Sequence, residues 1–243
     1  MSEWKQKRFW TDVTTSATPE GWSVHLDARA VKTPAKAPLL LPTPVLADAV
    51  AAEWQAQEGV IDPLSMPFTR SANAAIDKVA IQHGEVADML AAYGDADLLC
   101  YRADAPAALV DGQRRTWDPF LEWAAETLGA RLVPRTGVIH ESQDQAALER
   151  LSERVHALTA FELAAFHDLV SLSGSLILGF AAARNLHPAP TIWAASRVDE
   201  IWQEEHWGED TEAQKVAEIK KTSFLHAKSF FDAAKLPLGQ GVA

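Results

Sequence analysis

The chain has 243 residues with 22 Lys+Arg against 33 Asp+Glu, a net charge of −11. A composition that is 48% apolar and 23% charged supports a packed core and excludes a disordered tail. The acidic balance argues against a protein built to grip phosphate backbones, and the single cysteine, Cys100, excludes an internal disulfide framework and a cysteine-based zinc site.

The first forty residues read as extended chain. Phe9 to Thr15 predicts a strand, Thr18-Pro19-Glu20-Gly21 a turn, and Trp22, Val24 and Leu26 alternate with polar residues as a half-buried strand does. Asp27-Ala28-Arg29 is a tight connection, and Val31 to Leu41 holds two Pro-broken extended pieces. Helix then takes over. Thr43 is an N-cap with Pro44 at the first helical position, Leu46, Val50 and Trp54 form an apolar stripe, and Gly59 marks the stop. A link through Pro63 and Met66-Pro67 leads to a helix over about 70–81, and Ala96 to Tyr101 makes a short helical stretch.

From Ala107 onward the pattern is helical throughout. Trp117, Phe120, Leu121, Ala124 and Leu128 share a face that ends at Gly129, with Asp118-Pro119 as a start or a kink. Asp144 caps a helix to Leu158. Thr159 and Glu162 form a capping box for one long apolar helix reaching Arg184, stopped by Asn185 and Pro188. A helix over about 190–207 ends at Gly208, and Asp210 caps the last. The expected fold is α+β: a small N-terminal α+β domain, residues 1–75, made of a short antiparallel sheet plus helix, then a larger all-helical domain, 76–243.

The stretch Leu169 to Ala183 is interrupted by Ser171, Ser173, Gly174 and Ser175 and falls short of the roughly 20 apolar residues of a membrane span. Residues 1–8 lack the apolar core of a secretory signal, so a cytoplasmic location without stable membrane insertion is expected. Few residues look chemical. No phosphate-cradling glycine loop occurs, and no two of the eight histidines stand three or four apart to share a metal; no cofactor, metal or catalytic residue is assigned. Cys100 reads as a small buried hydrophobe, and His167-Asp168 as a satisfied polar pair on a buried helix.

One feature stands out. Between Asp199 and Glu212 lie seven acids, Asp199, Glu200, Glu204, Glu205, Glu209, Asp210 and Glu212, and no Lys or Arg. On a helix, Val198, Ile201 and Trp202 define the buried face, Glu200 and Glu204 the opposite one with Trp207 between them, while Glu205 falls on the apolar side. Like charges one turn apart do not favour a helix. A tryptophan among carboxylates suits a protein partner that presents Arg or Lys.

Several stretches together resemble a known family. They are Leu26-Asp27-Ala28-Arg29 with Val31-Lys32-Thr33-Pro34, Glu53-Trp54-x-x-Gln57, Met66-Pro67-x-Thr69-Arg70-x-x-Asn73-x-x-x-Asp77, Asp97-Leu98-Leu99-Cys100-Tyr101-Arg102, Gln113-x-x-x-Trp117-Asp118-Pro119, Asp199-Glu200-x-x-Gln203 and Trp207-Gly208-x-Asp210. The chain is similar, from about Phe9 to Phe231, to the ATP synthase assembly chaperones that bind the α subunit of the F-one catalytic sector. One departure is Ala28, where the family's turn carries glycine. The resemblance implies a two-domain, non-enzymatic chaperone that holds unassembled α subunit until the β subunit replaces it, without ATP hydrolysis. Its expected partner is that subunit, with no nucleic acid, and it acts as a monomer. The expected partner-binding residues are Asp199, Glu200, Glu204, Glu205 and Trp207, with Glu200 foremost. Glu53-Trp54 and the Met66–Asp77 stretch are expected to be structural, with Arg70 and Asp77 tying one helix to its surroundings. The competing reading is a small-molecule enzyme with a polar site near Asp97 and Arg102 or at His167-Asp168.

Overall fold

The structure, a computed structural model, describes residues 7–137, 140–208 and 210–235. It is α+β: a small antiparallel sheet with helix, followed by a helical region. β1 (Val13–Thr18) and β2 (Gly21–Leu26) form a hairpin in the register Val13↔Leu26 to Thr18↔Gly21. β3 (Arg29–Ala30) and β4 (Leu40–Leu41) both pair antiparallel with β2. The first strand thus starts four residues later than its sequence suggests, because Asp27 draws the Thr11–Asp12 backbone into hydrogen bonds with its carboxylate instead of leaving it to pair.

α1 (Pro44–Gln55) packs on β1 and β2 through buried Leu46, Ala47 and Val50, with the Thr43 hydroxyl accepting from Leu46 N at 3.1 Å as the N-cap. Trp54 is half-buried rather than core, its ring meeting Trp10 edge-on at 5.4 Å. Its neighbour Glu53 explains the motif around it. One carboxylate oxygen accepts from Phe68 N at 2.6 Å, and the other from Thr69 N at 2.8 Å and the Thr69 hydroxyl at 2.7 Å. Glu53 therefore caps the start of α2 (Pro67–Ala74) from a neighbouring element. Past Ala74 the helix widens into a π turn over Ala75–Val79. There Asp77 accepts from Ala35 N at 3.0 Å, while Arg70 is exposed and forms no ion pair among the described residues.

The chain groups into two compact units that do not follow a single cut. The first takes the chain up to Gln82, Thr159–Ala165 and the chain from Ser229; the second takes His83–Leu158 and Phe166–Lys228. In the first, Phe230 lies 6.4 Å from Phe161 and 6.1 Å from Phe68, so later segments complete the core begun by α1 and α2.

The second unit contains α3 (His83–Ala91), β5 (Tyr101–Arg102), α4 (Ala107–Trp123), β6 (Arg135–Thr136) and α5 (Gln145–His156). β5 and β6 pair in parallel, and α3 packs on α5. Pro119 sits inside α4 rather than starting it, and the helix runs on through a π segment to Gly129 at φ +70. The Thr159–Glu162 capping box forms as expected, at 2.9 and 3.2 Å. The long apolar helix is two helices, α6 (Ala160–Ser173) and α7 (Leu176–Ala183). Gly174 at φ +70 breaks the run, and the Ser175 hydroxyl recaps the chain by accepting from Leu178 N at 3.0 Å. The following helix is likewise split at Ser196–Arg197, into α8 (Ala189–Ala195) and α9 (Val198–Trp207), before α10 (Thr211–Ala234). No described helix is long and apolar enough to cross a membrane.

Candidate functional site

α9 is held at its root and, although it faces α4, buries no residue fully along its length. Trp117 on α4 donates its indole N–H to Ala195 O at 2.7 Å. Gln113, one turn earlier, accepts from Ala103 N at 2.9 Å and donates to Asp199 at 2.7 Å. The side chain of Gln113 is buried, so α4 clamps the α8–α9 junction and Asp199 serves as the foot of α9.

Beyond that foot, α9 has no buried residue. This corrects the expected buried face. Val198 and Trp202 are half-buried, and Ile201 is 42% exposed. Trp207 is 75% exposed at the helix end. The Trp202 ring stacks on His206 at 4.0 Å and meets Trp207 edge-on at 5.6 Å, while His206 Nδ1 lies 2.8 Å from Trp202 O. Gly208 closes the helix, with its N–H on Glu204 O at 3.0 Å, and Asp210 then caps α10 through Glu212 N at 2.9 Å.

The acids divide into three groups. Glu200 is not unneutralised: Arg197, just outside the acid-rich window, bonds it at 2.7 Å with the two side chains 20% and 44% exposed. The same guanidinium lies 6.0 Å from the Trp193 ring centroid. Glu212 pairs with Lys215 at 2.8 Å. Glu204 and Glu205 have no ion pair among the described residues, and Glu209 lies outside them. Glu205, expected on an apolar seam, is exposed and lines a concave face of about 680 Å³ between α9, α8 and α4. A second concave face, about 740 Å³, lies toward α10 and includes Glu204, Ile201 and Lys221. Along α10, Val216 is 51% and Ile219 67% exposed. The structure thus places Glu200, Glu204, Glu205 and Trp207 on one projecting helix and turns Asp199 inward. What the sequence does not offer is the α4 wall, because nothing local links Leu109, Gly112 and Phe120 to α9.

The residues of the competing enzyme reading are occupied internally. Asp97 is fully buried, with one carboxylate oxygen accepting from Leu99 N and the other from Ile177 N, both at 3.0 Å. Burial pushes its pKa up to about 6 even though those hydrogen bonds pull it down. Arg102 bonds Asp118 at 2.8 Å and Leu99 O at 2.7 Å, and lies 5.2 Å from the Trp117 ring centroid. Burial, with Asp97 nearby, pushes the Cys100 thiol up to about 12, so it carries no thiolate. His167 and Asp168 pair at 2.9 Å, but on a half-exposed surface rather than in the core, and the bond to Asp168 raises the His167 pKa. No group of His, Cys, Asp and Glu able to hold a metal occurs among the described residues.

Comparison with known proteins agrees with this architecture. The sequence family of the ATP12 chaperone protein matches residues 7–125. The mitochondrial protein atp12 of Schizosaccharomyces pombe is 25% identical over 222 residues, 86% of this chain and 76% of that protein. The crystal structure of Atp12 from Paracoccus denitrificans is 50% identical with a TM-score of 0.94, covering 96% of this chain and 100% of that one. The Atu1473 protein of Agrobacterium tumefaciens is 38% identical with a TM-score of 0.89, covering 94% and 86%. The chain belongs to the ATP12 chaperone family and takes part, as a chaperone, in ATP synthase assembly.

Proposed function

We propose that this chaperone binds the unassembled α subunit of the catalytic sector and shields it until the β subunit takes its place, acting as a cytoplasmic monomer without hydrolysing nucleotide. The observation that carries this reading is α9 itself: a rooted helix that buries no residue, ends in a 75% exposed tryptophan, and bears Glu204 and Glu205 without cationic partners among the described residues. Exposed aromatic area ringed by carboxylates is costly to leave in water and suits a client surface rich in Arg or Lys. Glu200 and Trp207 supply charge steering and a desolvated anchor, with Glu204 and Glu205 beside them; Asp199 contributes by holding the helix.

Co-purification of α subunit with tagged wild type, Glu200→Lys and Trp207→Ala tests this. Charge reversal at Glu200 sets a lysine beside Arg197, so Arg197→Ala separates loss of the internal pair from loss of a client contact. About tenfold less α subunit with Glu200→Lys and Trp207→Ala, near-normal recovery with Arg197→Ala, and weaker wild-type capture in high salt are expected. Equal recovery by all four proteins refutes the assignment of α9 as the client surface.

A further inference from the structure

The concave face between α4 and α9 holds two features for which the chain's own packing gives no reason. The first is Gly112, in the interior of α4. Glycine is unfavourable there relative to alanine, yet a Cβ built at Gly112 meets nothing within 4 Å. No described residue fills the space of the missing side chain. The second is Trp202, which forms part of the opposite wall. Its indole N–H is withdrawn from water and has no acceptor among the described residues, as is also true of Trp10 and Trp54, but it alone of the three belongs to a groove wall. Between them lie the apolar walls Leu109, Phe120 and Ile201, and Arg115 stands at the same face without an ion pair or side-chain hydrogen bond among the described residues.

We infer that this groove receives an extended segment of the unassembled subunit, with its backbone lying across Gly112. A main-chain carbonyl of the segment accepts from Trp202 Nε1, an apolar side chain fills the space between Phe120 and Ile201, and an acidic side chain meets Arg115. This rests on the reading that the chain captures an unassembled subunit. Glycine in an otherwise regular element is where another backbone can approach closely. The indole is half-exposed, and a rotamer change that releases its stack on His206 presents its N–H to an acceptor. The volume, about 680 Å³, matches a few residues of peptide. The groove's sixteen lining residues fall short of the roughly 20–30 a side of a standard stable interface, which favours a peptide segment over a second copy of this chain.

The test uses the tagged full chain co-expressed with the α subunit. Gly112→Leu fills the groove from a position with open space, so it leaves the fold intact. Gly84→Leu, also in open space but on α3, is the matched control. Trp202→Phe keeps an aromatic ring and removes the unpartnered donor, together with part of the area that stacks on His206. Expected are about tenfold lower recovery of α subunit with Gly112→Leu, about threefold lower with Trp202→Phe at an unlowered melting midpoint, and no change with Gly84→Leu. A benzophenone side chain introduced at Thr116, which lines the groove, should crosslink to an α-subunit segment that joins an apolar residue to an acid. Equal capture by wild type and Gly112→Leu overturns the inference alone; failure of wild type to capture the subunit overturns the reading beneath it and the inference together. A purified wild type that is dimeric and becomes monomeric with Gly112→Leu assigns the groove to a second copy and also overturns it.

Discussion

Replacing Asp97 with asparagine should make the stability of the second unit respond differently to pH. In the fold this carboxyl is fully buried and its pKa is raised from 3.8 to about 6. A raised acid binds its proton more tightly in the folded chain than in the unfolded one. Its stabilising contribution is therefore complete below about pH 4 and is lost as pH rises through about 6. At about 1.4 kcal/mol per pH unit the whole difference weighs about 3 kcal/mol, and roughly 2 kcal/mol of it falls between pH 4.5 and 7. Asparagine keeps one acceptor for Leu99 N but sets its amide against Ile177 N, leaving a buried donor unpaired at a cost of about 1–3 kcal/mol. At pH 7 that cost is roughly offset by removal of the desolvated charge, so the two proteins should be close in stability. At pH 4.5 the wild type should lead by about 2 kcal/mol more than it does at pH 7. Urea unfolding of both proteins at the two pH values reads this directly, and taking the difference cancels the other carboxylates, which both share. A wild-type-minus-variant gap that is flat across this range refutes the claim that burial dominates at Asp97.

Three further substitutions probe packing and backbone conformation. Trp54→Ala removes the edge-on contact with Trp10 at 5.4 Å; because the ring is half-buried, the expected loss is about 2–4 kcal/mol, seen as a lower urea midpoint, and an unchanged midpoint contradicts the contact's importance. At Gly179 a Cβ comes within 2.6 Å of Val170 and 3.3 Å of Phe166, so Gly179→Ala should cost about 1–3 kcal/mol by overpacking. Gly174 is at φ +70 with its nearest neighbour, Leu98, at an ordinary 3.8 Å, so Gly174→Ala carries only the conformational cost of about 1 kcal/mol. A melting-temperature series in which Gly174→Ala is the more damaging reverses this reasoning.

Local chemistry was readable wherever it is set within a few residues. The Thr43 cap, the Thr159–Glu162 box, the Asp144 and Asp210 caps and the Gly129 stop all follow from near neighbours, and the structure contains each. The breaks at Gly174 and Ser196 do not follow from the pattern alone: Ser173, Gly174 and Ser175 interrupt the apolar run and Ser196-Arg197 the next one, but small and polar residues are also tolerated inside helices, and apolar residues resume beyond both points. They depend instead on partners far along the chain: Leu98 N donates to Gly174 O at 3.1 Å, Asp97 takes up the freed Ile177 N, and the Trp117 indole occupies Ala195 O. The same limit applies to the site. The projection of α9 placed Trp207 and Glu204 on an open surface, but it could not tell a seam facing a core from one facing a groove, so Ile201 was assigned to the wrong side. Arg197, the partner of Glu200, lies outside the acid-rich stretch, two residues before Asp199.

The apolar side chains left open on α9 and α10, Ile201, Trp207, Val216 and Ile219, bear on the colloidal behaviour of the chain. Such a surface attracts any exposed grease, including that of another molecule of the same kind. A net charge of −11 opposes such encounters by mutual repulsion at neutral pH, while at close range it leaves room for a partner of opposite sign. That protection weakens as the solution approaches the isoelectric point near pH 5.1 and as salt shortens the range of the field. The acidity of this chain is thus a dispersant for its own adhesive face, and mild acid or high salt should turn a clear solution turbid while the fold is still intact.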